Sequence, residues 1–296
     1  VASVLSRRQL ITDNCSLITF SPMTTPSPLP LVSIITPSFN QARYIEATIQ
    51  SVLSQDYPRI EYIIVDGAST DGTVDAIKKY EGRIASWVSE PDKGQTDAIN
   101  KGFARAKGDI LAWINSDDTY EVGAVGAAVK FLLEHPNAGM VYGDCNFINE
   151  SGGVIGKFNS AQTDQHLLRQ GYVHIPQQTA FFRADLWKQV GPLDPSFYFA
   201  MDYDLWTRIA ARSQIQYVPQ MWANFRLHTS GKTIVADDRC WPEMIRVHYR
   251  DGGSFFSTIV AKYYIRKLIA PIWNWRRRRM LKDSTQRTRR SQSLND

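Results

Sequence analysis

Three short, almost wholly apolar runs constrain this chain most: Leu31–Thr36 (LVSIIT), Ile60–Val65 (IEYIIV) and Ile110–Ile114 (ILAWI). A strand without a polar face must be buried on both sides, as happens in parallel sheets covered by helices. Each run ends in a polar cluster: Pro37-Ser38-Phe39-Asn40, then Asp66-Gly67, then Asn115-Ser116-Asp117-Asp118. Between the first two runs Ile45, Ile49, Val52 and Leu53 recur at helical spacing and stop before Pro58. Residues 73–80 and 94–107 read as further helices, and 84–88 as another strand. Strand, loop and helix, repeated in this way, predict a doubly wound, Rossmann-like open α/β sheet. Ligands bind such sheets at the carboxyl ends of the strands, where the polar clusters fall.

The second half is less regular. Helices are expected at 121–135, 163–169, 184–190 and 201–212. Strands are expected at 139–143, 179–182, 215–218 and 222–227, with a turn at Ser151-Gly152-Gly153. The organisation expected is a leader over 1–30, one α/β domain over 31–230, and a helical, basic tail over 231–296. Met23, ahead of a Pro-rich lead into the first strand, reads as the natural start, with 1–22 an added leader.

Charge is divided in the same way. Residues 262–296 hold eleven Lys or Arg against Asp283 and Asp296, while the remainder carries 23 basic and 27 acidic residues. A mildly acidic body is not a nucleic-acid groove, so no nucleic-acid partner is expected. In the tail, Phe255, Phe256, Ile259, Val260, Tyr263, Tyr264, Leu268 and Ile272 form a helical stripe, followed by Trp273, Trp275 and Arg276–Arg279. Two readings stand: peripheral contact with an anionic membrane through 255–290, or a helix packed on the body with a basic end. No run reaches the roughly 18 to 20 apolar residues of a membrane span. Cys15, Cys145 and Cys240 are far apart and unpaired in pattern, which fits a reducing compartment. The expected location is cytoplasmic, peripheral to the inner face of the cell membrane.

Several carboxylates carry candidate chemistry. Asp117 and Asp118, adjacent after a buried strand, repel each other unless a cation such as Mg²⁺ or Mn²⁺ lies between them and a phosphate; the alternative is a helix N-cap. Asp66 can accept from a base or ribose, or can hold an Asx-turn. Lys93, before a helix, can meet phosphate or be a solvated charge. Asp71 and Thr73 read as turn and cap residues, and Asp204 as structural. His228 follows a strand and is a candidate metal ligand. His174 is a candidate for the acceptor pocket, and Trp187 and Trp206 sit at helical spacing that favours a core role.

Taken together, ITPSFNQARYIEATIQSVLSQDYPRIEYIIVDGASTDGT and WVSEPDKGQTDAINKGFARAKGDILAWINSDDTY resemble the bacterial family-2 glycosyltransferases, over about residues 31–230. The resemblance implies a GT-A fold and inverting transfer of a sugar from a nucleotide-sugar donor, a UDP-sugar by default, to a glycan or glycolipid acceptor of the cell envelope. It implies nucleotide-side contacts from Pro37, Phe39, Asn40, Asp66 and Asp117, to which Lys93 is added as a candidate from its own place before a helix. The metal, Mn²⁺ or Mg²⁺, would rest on Asp117 with Asp118 beside it as helper, while His228 stays a candidate further ligand from its own place after a strand. The family's DxD signature falls on Asn115-Ser116-Asp117, so its first acid is replaced by Asn115. A second motif, Phe199-Ala200-Met201-Asp202-Tyr203-Asp204, resembles the acidic acceptor-site motif and makes Asp202 the general base, with Met201 where the family often has Glu. A nucleotidyltransferase and a non-catalytic sugar-nucleotide-binding module are the competing readings. The first lacks the Gly- and Arg-rich loop it would need after strand one.

Overall fold

A computed structural model of the chain describes residues 29–228, 231–232 and 239–268. The expectations for 1–22, Met23 and Cys15, and those for Ile272, Trp273, Trp275 and Arg276–Arg279, lie outside these residues.

The apolar runs form the centre of one sheet. Strand β1 (Val32–Ser38) is buried along its whole length and pairs in parallel with β2 (Ile60–Asp66) and β4 (Ile110–Trp113). β3 (Ser86–Ser89) adds to β2, also in parallel. Beyond β4 the sheet turns mixed. β8 (Phe181–Arg183) runs antiparallel between β4 and β6 (Ala138–Ile148). β9 (Gln214–Arg226) is parallel to β6, and β5 (Thr119–Tyr120) closes the far edge. β7 (Val154–Lys157) pairs antiparallel with β6 across the turn expected at Ser151-Gly152-Gly153. The order is β3-β2-β1-β4-β8-β6-β9-β5, with β7 on β6.

Side chains alternate between two cores, as a pleated strand requires. Ile34, Tyr62, Ile64 and Ala112 pack with α1 (Ile45–Leu53), α2 (Thr73–Lys78) and α4 (Ala124–Glu134) on one face. Ile35, Ile63, Val65 and Trp113 pack with α3 (Gln95–Arg105), α6 (Ala184–Val190) and α7 (Met201–Ala210) on the other. The short α5 (Gln165–Arg169) is capped by Asp164, whose side chain accepts from the Leu167 amide at 2.8 Å. Each fully buried Ile or Leu contributes about 1.5–3 kcal/mol, so these two faces hold the parallel half together.

Three expectations are corrected. The strands at 215–218 and 222–227 are one strand, β9. Pro219 sits at a bulge where the pairing with β6 jumps from Tyr142↔Tyr217 to Asp144↔Met221. A bulge tolerates a residue without an N–H donor. Gly143 makes the crossing possible, since a Cβ there would come within 2.7 Å of the Gln220 carbonyl oxygen and 2.5 Å of Trp222. The helix expected from 121 begins at Ala124, because Tyr120 pairs with Ala223 in β5 and Gly123 (φ 83°) turns the chain. The boundary at 230 does not divide body from tail. α8 (Cys240–Arg250) places Met244 and Val247 in the same core as Trp206 and Ile209, and Ile259 and Val260 join them. Among the described residues no helix is long and apolar enough to cross a membrane.

Candidate active site

A cleft of about 970 Å³ opens at the carboxyl edge of the parallel strands, where the polar clusters converge. Pro37, near the end of β1, and Phe39, just past it, line the cleft, and Phe39 is 60% exposed at the rim. Asn40 does not line it. With φ 51° it ties two loops, its Oδ1 accepting from the Thr70 amide (3.0 Å) and its own amide donating to Ser69 Oγ (2.7 Å). Asp66 is fully buried: Oδ2 accepts from the Ser69 amide (2.9 Å) and Ser89 Oγ (2.7 Å), and Oδ1 accepts from Ser69 Oγ (2.5 Å). The carboxylate expected to reach the base is thus engaged within its own loop, as the Asx-turn reading has it. Gly67 lines the cleft beside it, and a Cβ there would lie 2.6 Å from Asp92 Oδ2, so Asp92 is the acid presented at this edge. The Lys93 side chain is exposed and lies outside the lining; its amide donates to Asp97 Oδ2 at 3.1 Å, capping α3. Asn40 and Lys93 thus both stand outside the lining of the cleft.

The acidic pair after β4 is split. Asp117 lines the cleft, and its Oδ2 lies 2.9 Å from Nε2 of His228, which lines the cleft too. Asp118 turns inward and is completely buried. It accepts from the Arg226 amide (2.9 Å), Gln178 Nε2 (2.8 Å) and Asn115 Nδ2 (3.3 Å). Burial first, and the neighbouring Asp117 charge second, hold its carboxyl well above the usual range. With its oxygens so occupied and outside the cleft lining, Asp118 sits as a structural acceptor, in contrast to the ligand role expected of it. Arg226 locks the pair from behind, its Nε donating to the Asp117 carbonyl at 2.9 Å. Asp117 and His228 together offer one oxygen and one nitrogen ligand. Mg²⁺ and Mn²⁺ are commonly held by one or two protein ligands with substrate phosphates and water completing the shell, so this donor set fits such an ion. Among the described residues no group of three or more His, Cys, Asp or Glu converges as a metal site.

Asp202 lines the same cleft from the first turn of α7, its Oδ1 accepting from the Tyr203 amide at 2.7 Å. Burial raises its pKa, against the lowering effect of that N–H and of Lys232. Lys232 itself is pushed down to about 8 by burial, opposed by the charges of Asp202 and Glu243. Its ammonium lies 4.0 Å from the Tyr198 ring centre and donates to Gln95 Oε1 at 3.0 Å. Gln95 Nε2 in turn donates to Asn115 Oδ1 at 2.7 Å. The position that departs from the DxD pattern is therefore wired through Gln95 to a cation. Met201, the other departure, is buried and its Sδ accepts from Thr96 Oγ1 at 2.9 Å.

The loop carrying Asp202 is held by Glu243 of α8. Its carboxylate accepts from the amides of Tyr198 (3.0 Å), Phe199 (2.8 Å) and Ala200 (2.8 Å), the donors that precede α7 and have no helical partner. Glu243→Gln turns one acceptor into a donor facing those amides. The expected result is a loss of about 1–3 kcal/mol of stability together with reduced turnover. An unchanged melting midpoint would remove the capping role.

Asp204 is fully buried between Arg208 (2.7 Å) and Arg250, in keeping with a structural reading. Asp71 accepts from the Ala42 and Thr73 amides, as a turn residue does. His174 does not line the cleft; its Nδ1 meets the Asn159 carbonyl at 3.1 Å, while Ile175 and Gln177 form the wall. Trp206 stacks on Trp113 with centroids 5.4 Å apart, and Trp187 packs on Phe103, so both serve the core. Among the described residues, the tryptophan that does line the cleft is Trp241 of α8. Gln95, Asp92, Arg226, Lys232, Trp241 and Glu243 were not singled out from the sequence. Arg226 and Lys232 flank His228 in one short segment, which was the available signal.

Known proteins resemble the chain in sequence and in fold. Residues 33–191 match glycosyl transferase family 2. A putative teichuronic acid biosynthesis glycosyltransferase, TuaG of Bacillus subtilis, is 44% identical over 108 residues, 36% of this chain and 43% of that protein. The match thus spans less than half of that relative's length. S. aureus TarS 1-349 in complex with UDP-GlcNAc superposes with a TM-score of 0.61 at 17% identity, covering 79% of this chain and 71% of that one. The mannosyltransferase PcManGT of Pyrobaculum calidifontis, in complex with GDP-Man and Mn²⁺, gives 0.59 at 22% identity, covering 80% and 70%. These two structures establish the fold as GT-A. The family match covers more than half of the chain, on the sheet that builds the cleft, and so the chain belongs to glycosyl transferase family 2.

Proposed function

We propose that the protein is an inverting, metal-assisted glycosyltransferase that moves a hexosyl or N-acetylhexosaminyl group from a UDP-sugar to a hydroxyl of a cell-envelope glycan or glycolipid. The observation that carries this reading is the meeting of Asp117, His228, Lys232 and Asp202 in the lining of one cleft. Support for the donor class comes from TarS, solved with UDP-GlcNAc, and support for the metal from PcManGT, solved with Mn²⁺. Pro37 and Phe39 bound the nucleotide side, and Asp92 is the acid available there.

Asp117 and His228 would hold Mn²⁺ or Mg²⁺, which when bound stabilises the charge of the leaving diphosphate as a Lewis acid. Lys232 adds a fixed positive charge in the same cleft, where exclusion of water strengthens its attraction for phosphate. Asp202 takes the proton of the attacking hydroxyl as the new bond forms, and a single displacement inverts the anomeric centre. Gln95 and Glu243 orient Lys232 and the Asp202 loop without touching the reacting atoms.

The experiment is a donor-hydrolysis and transfer assay across UDP-sugars, beside a thermal-shift screen. A donor present at 100 times its Kd adds about 2.7 kcal/mol of stability. A module that only binds would shift its melting temperature and turn nothing over, which would sink the enzyme reading. The pH profile gives a second check. Asp202 must be ionised to accept a proton, so its raised pKa moves the acid limb of the rate above the ordinary carboxylate range. Lys232 must be protonated to attract the diphosphate, so the rate falls again as pH rises through about 8. Replacing Lys232 with Arg is expected to move the alkaline limb upward, since an arginine keeps its proton.

A further inference from the structure

The tail stripe does not act as one surface. Residues 258–268 are helical, and the stripe divides around that helix. Ile259 and Val260 are buried in the core that contains Val247 of α8. On the opposite side Tyr264, Ile265 and Leu268 face out, with Leu268 76% exposed, at the i, i+1 and i+4 spacing of one helix face. Phe256, just ahead of the helix, is 95% exposed, and its ring meets Phe255 at 5.5 Å, which in turn meets Tyr264 at 6.1 Å. One side of this helix is therefore bolted to the body while the other presents a continuous apolar and aromatic ridge to solvent.

Cations border the ridge. Lys267 is exposed beside it. Lys262 and Arg266 fold back towards the body, Lys262 over the Tyr172 ring at 3.2 Å and Arg266 over the Trp241 ring at 5.6 Å. Past residue 268 the sequence continues with eight more Lys or Arg against two Asp. A hydrophobic protein partner of this patch would gain nothing from so one-sided a charge, whereas a bilayer with anionic headgroups satisfies both features. Aromatic side chains settle at the headgroup boundary, and the basic residues meet the lipid charge.

We propose that the ridge of Phe255, Phe256, Tyr264, Ile265 and Leu268 docks the protein on an anionic bilayer surface. This deepens the peripheral contact read from the sequence by assigning it to the outward face of a helix whose other face belongs to the catalytic body. Arg266 joins this helix to Trp241, a wall residue of the cleft, so docking holds that wall one side chain away from the membrane-bound helix. An acceptor anchored in the same bilayer would meet the cleft from that side.

The test uses the full chain and needs neither donor nor acceptor, so it stands or falls apart from the catalytic reading. Cosedimentation is measured with phosphatidylcholine vesicles with and without phosphatidylserine, for the parent and for the triple variant F256S/I265S/L268S. All three side chains are exposed, so the variant keeps its melting temperature. The parent is expected to bind only the anionic vesicles, more weakly as salt rises, and the triple variant to lose at least about tenfold in partitioning. Equal binding by the two proteins would overturn the proposal, because the basic tail alone would then suffice. So would absence of binding by the parent, or a concentration-dependent dimer that the triple variant abolishes, which would make a second copy the occupant.

Discussion

Replacing Asp202 with Asn lowers sugar transfer roughly 10²–10⁴-fold, the range for loss of a general base, while UDP-sugar affinity stays near that of the parent. The substitution keeps the size of the side chain and its oxygen can still accept from the Tyr203 amide, so the first turn of α7 is preserved. What is lost is the ability to take a proton. Asp204→Asn is the control, and the structure sharpens what it should do. Asp204 is completely buried between Arg208 and Arg250, and removing its charge strips Arg208 of its carboxylate partner and leaves Arg250 paired with Asp251 alone. Breaking a buried pair costs about 3–5 kcal/mol, and the partial exposure of both arginines puts this one at the lower end. The two neighbours should therefore fail differently: Asp202→Asn in turnover at a normal melting temperature, Asp204→Asn in stability with turnover kept by the folded fraction. Transfer by Asp202→Asn within about tenfold of the parent would take the base role from it.

Asp117→Ala is the second large effect. Donor turnover should depend on added Mn²⁺ or Mg²⁺, disappear in excess chelator, and fall at least about 10²–10³-fold in the variant, as when a main electrostatic stabiliser is removed. The fold should survive, because His228 is the partner of the Asp117 carboxylate and the Asp117 carbonyl that anchors Arg226 is unchanged. Asp118→Ala is expected to do the reverse. It strands the Arg226 amide and the Gln178 and Asn115 side-chain amides inside the protein, at about 1–3 kcal/mol for an unsatisfied buried group, before any effect on chemistry. Full turnover in excess chelator would remove the metal and leave Lys232 as the source of positive charge.

The parallel half of the sheet was legible because its signals are local. LVSIIT, IEYIIV and ILAWI have no polar face, and Ile45, Ile49 and Val52 fall on one helix face, that of α1, which ends before Pro58. A residue's neighbours at two or four positions decide that pattern, and they are in the sequence beside it. β9 was misread as two strands because Pro219 looks like a breaker. Only the pairing with β6, and the small Gly143 opposite, show that the break is a bulge within one strand.

The site was legible as residue types and not as directions. The sequence ranks Asp117 ahead of Asp118 only by resemblance; the fold turns one into the cleft and buries the other, because the donors that claim Asp118 come from Gln178 and Arg226, 60 and 108 residues away. Asp66 is withdrawn from the cleft by Ser69 and Ser89, and Glu243 reaches back more than forty residues to hold the loop of Asp202. Hydrophobic periodicity fixes which stretches become strands and helices. Which carboxylate stays free to act depends on the hydrogen-bond donors that tertiary packing brings to it, since a buried charge must be met by partners and a cleft-facing one is left for the ligand.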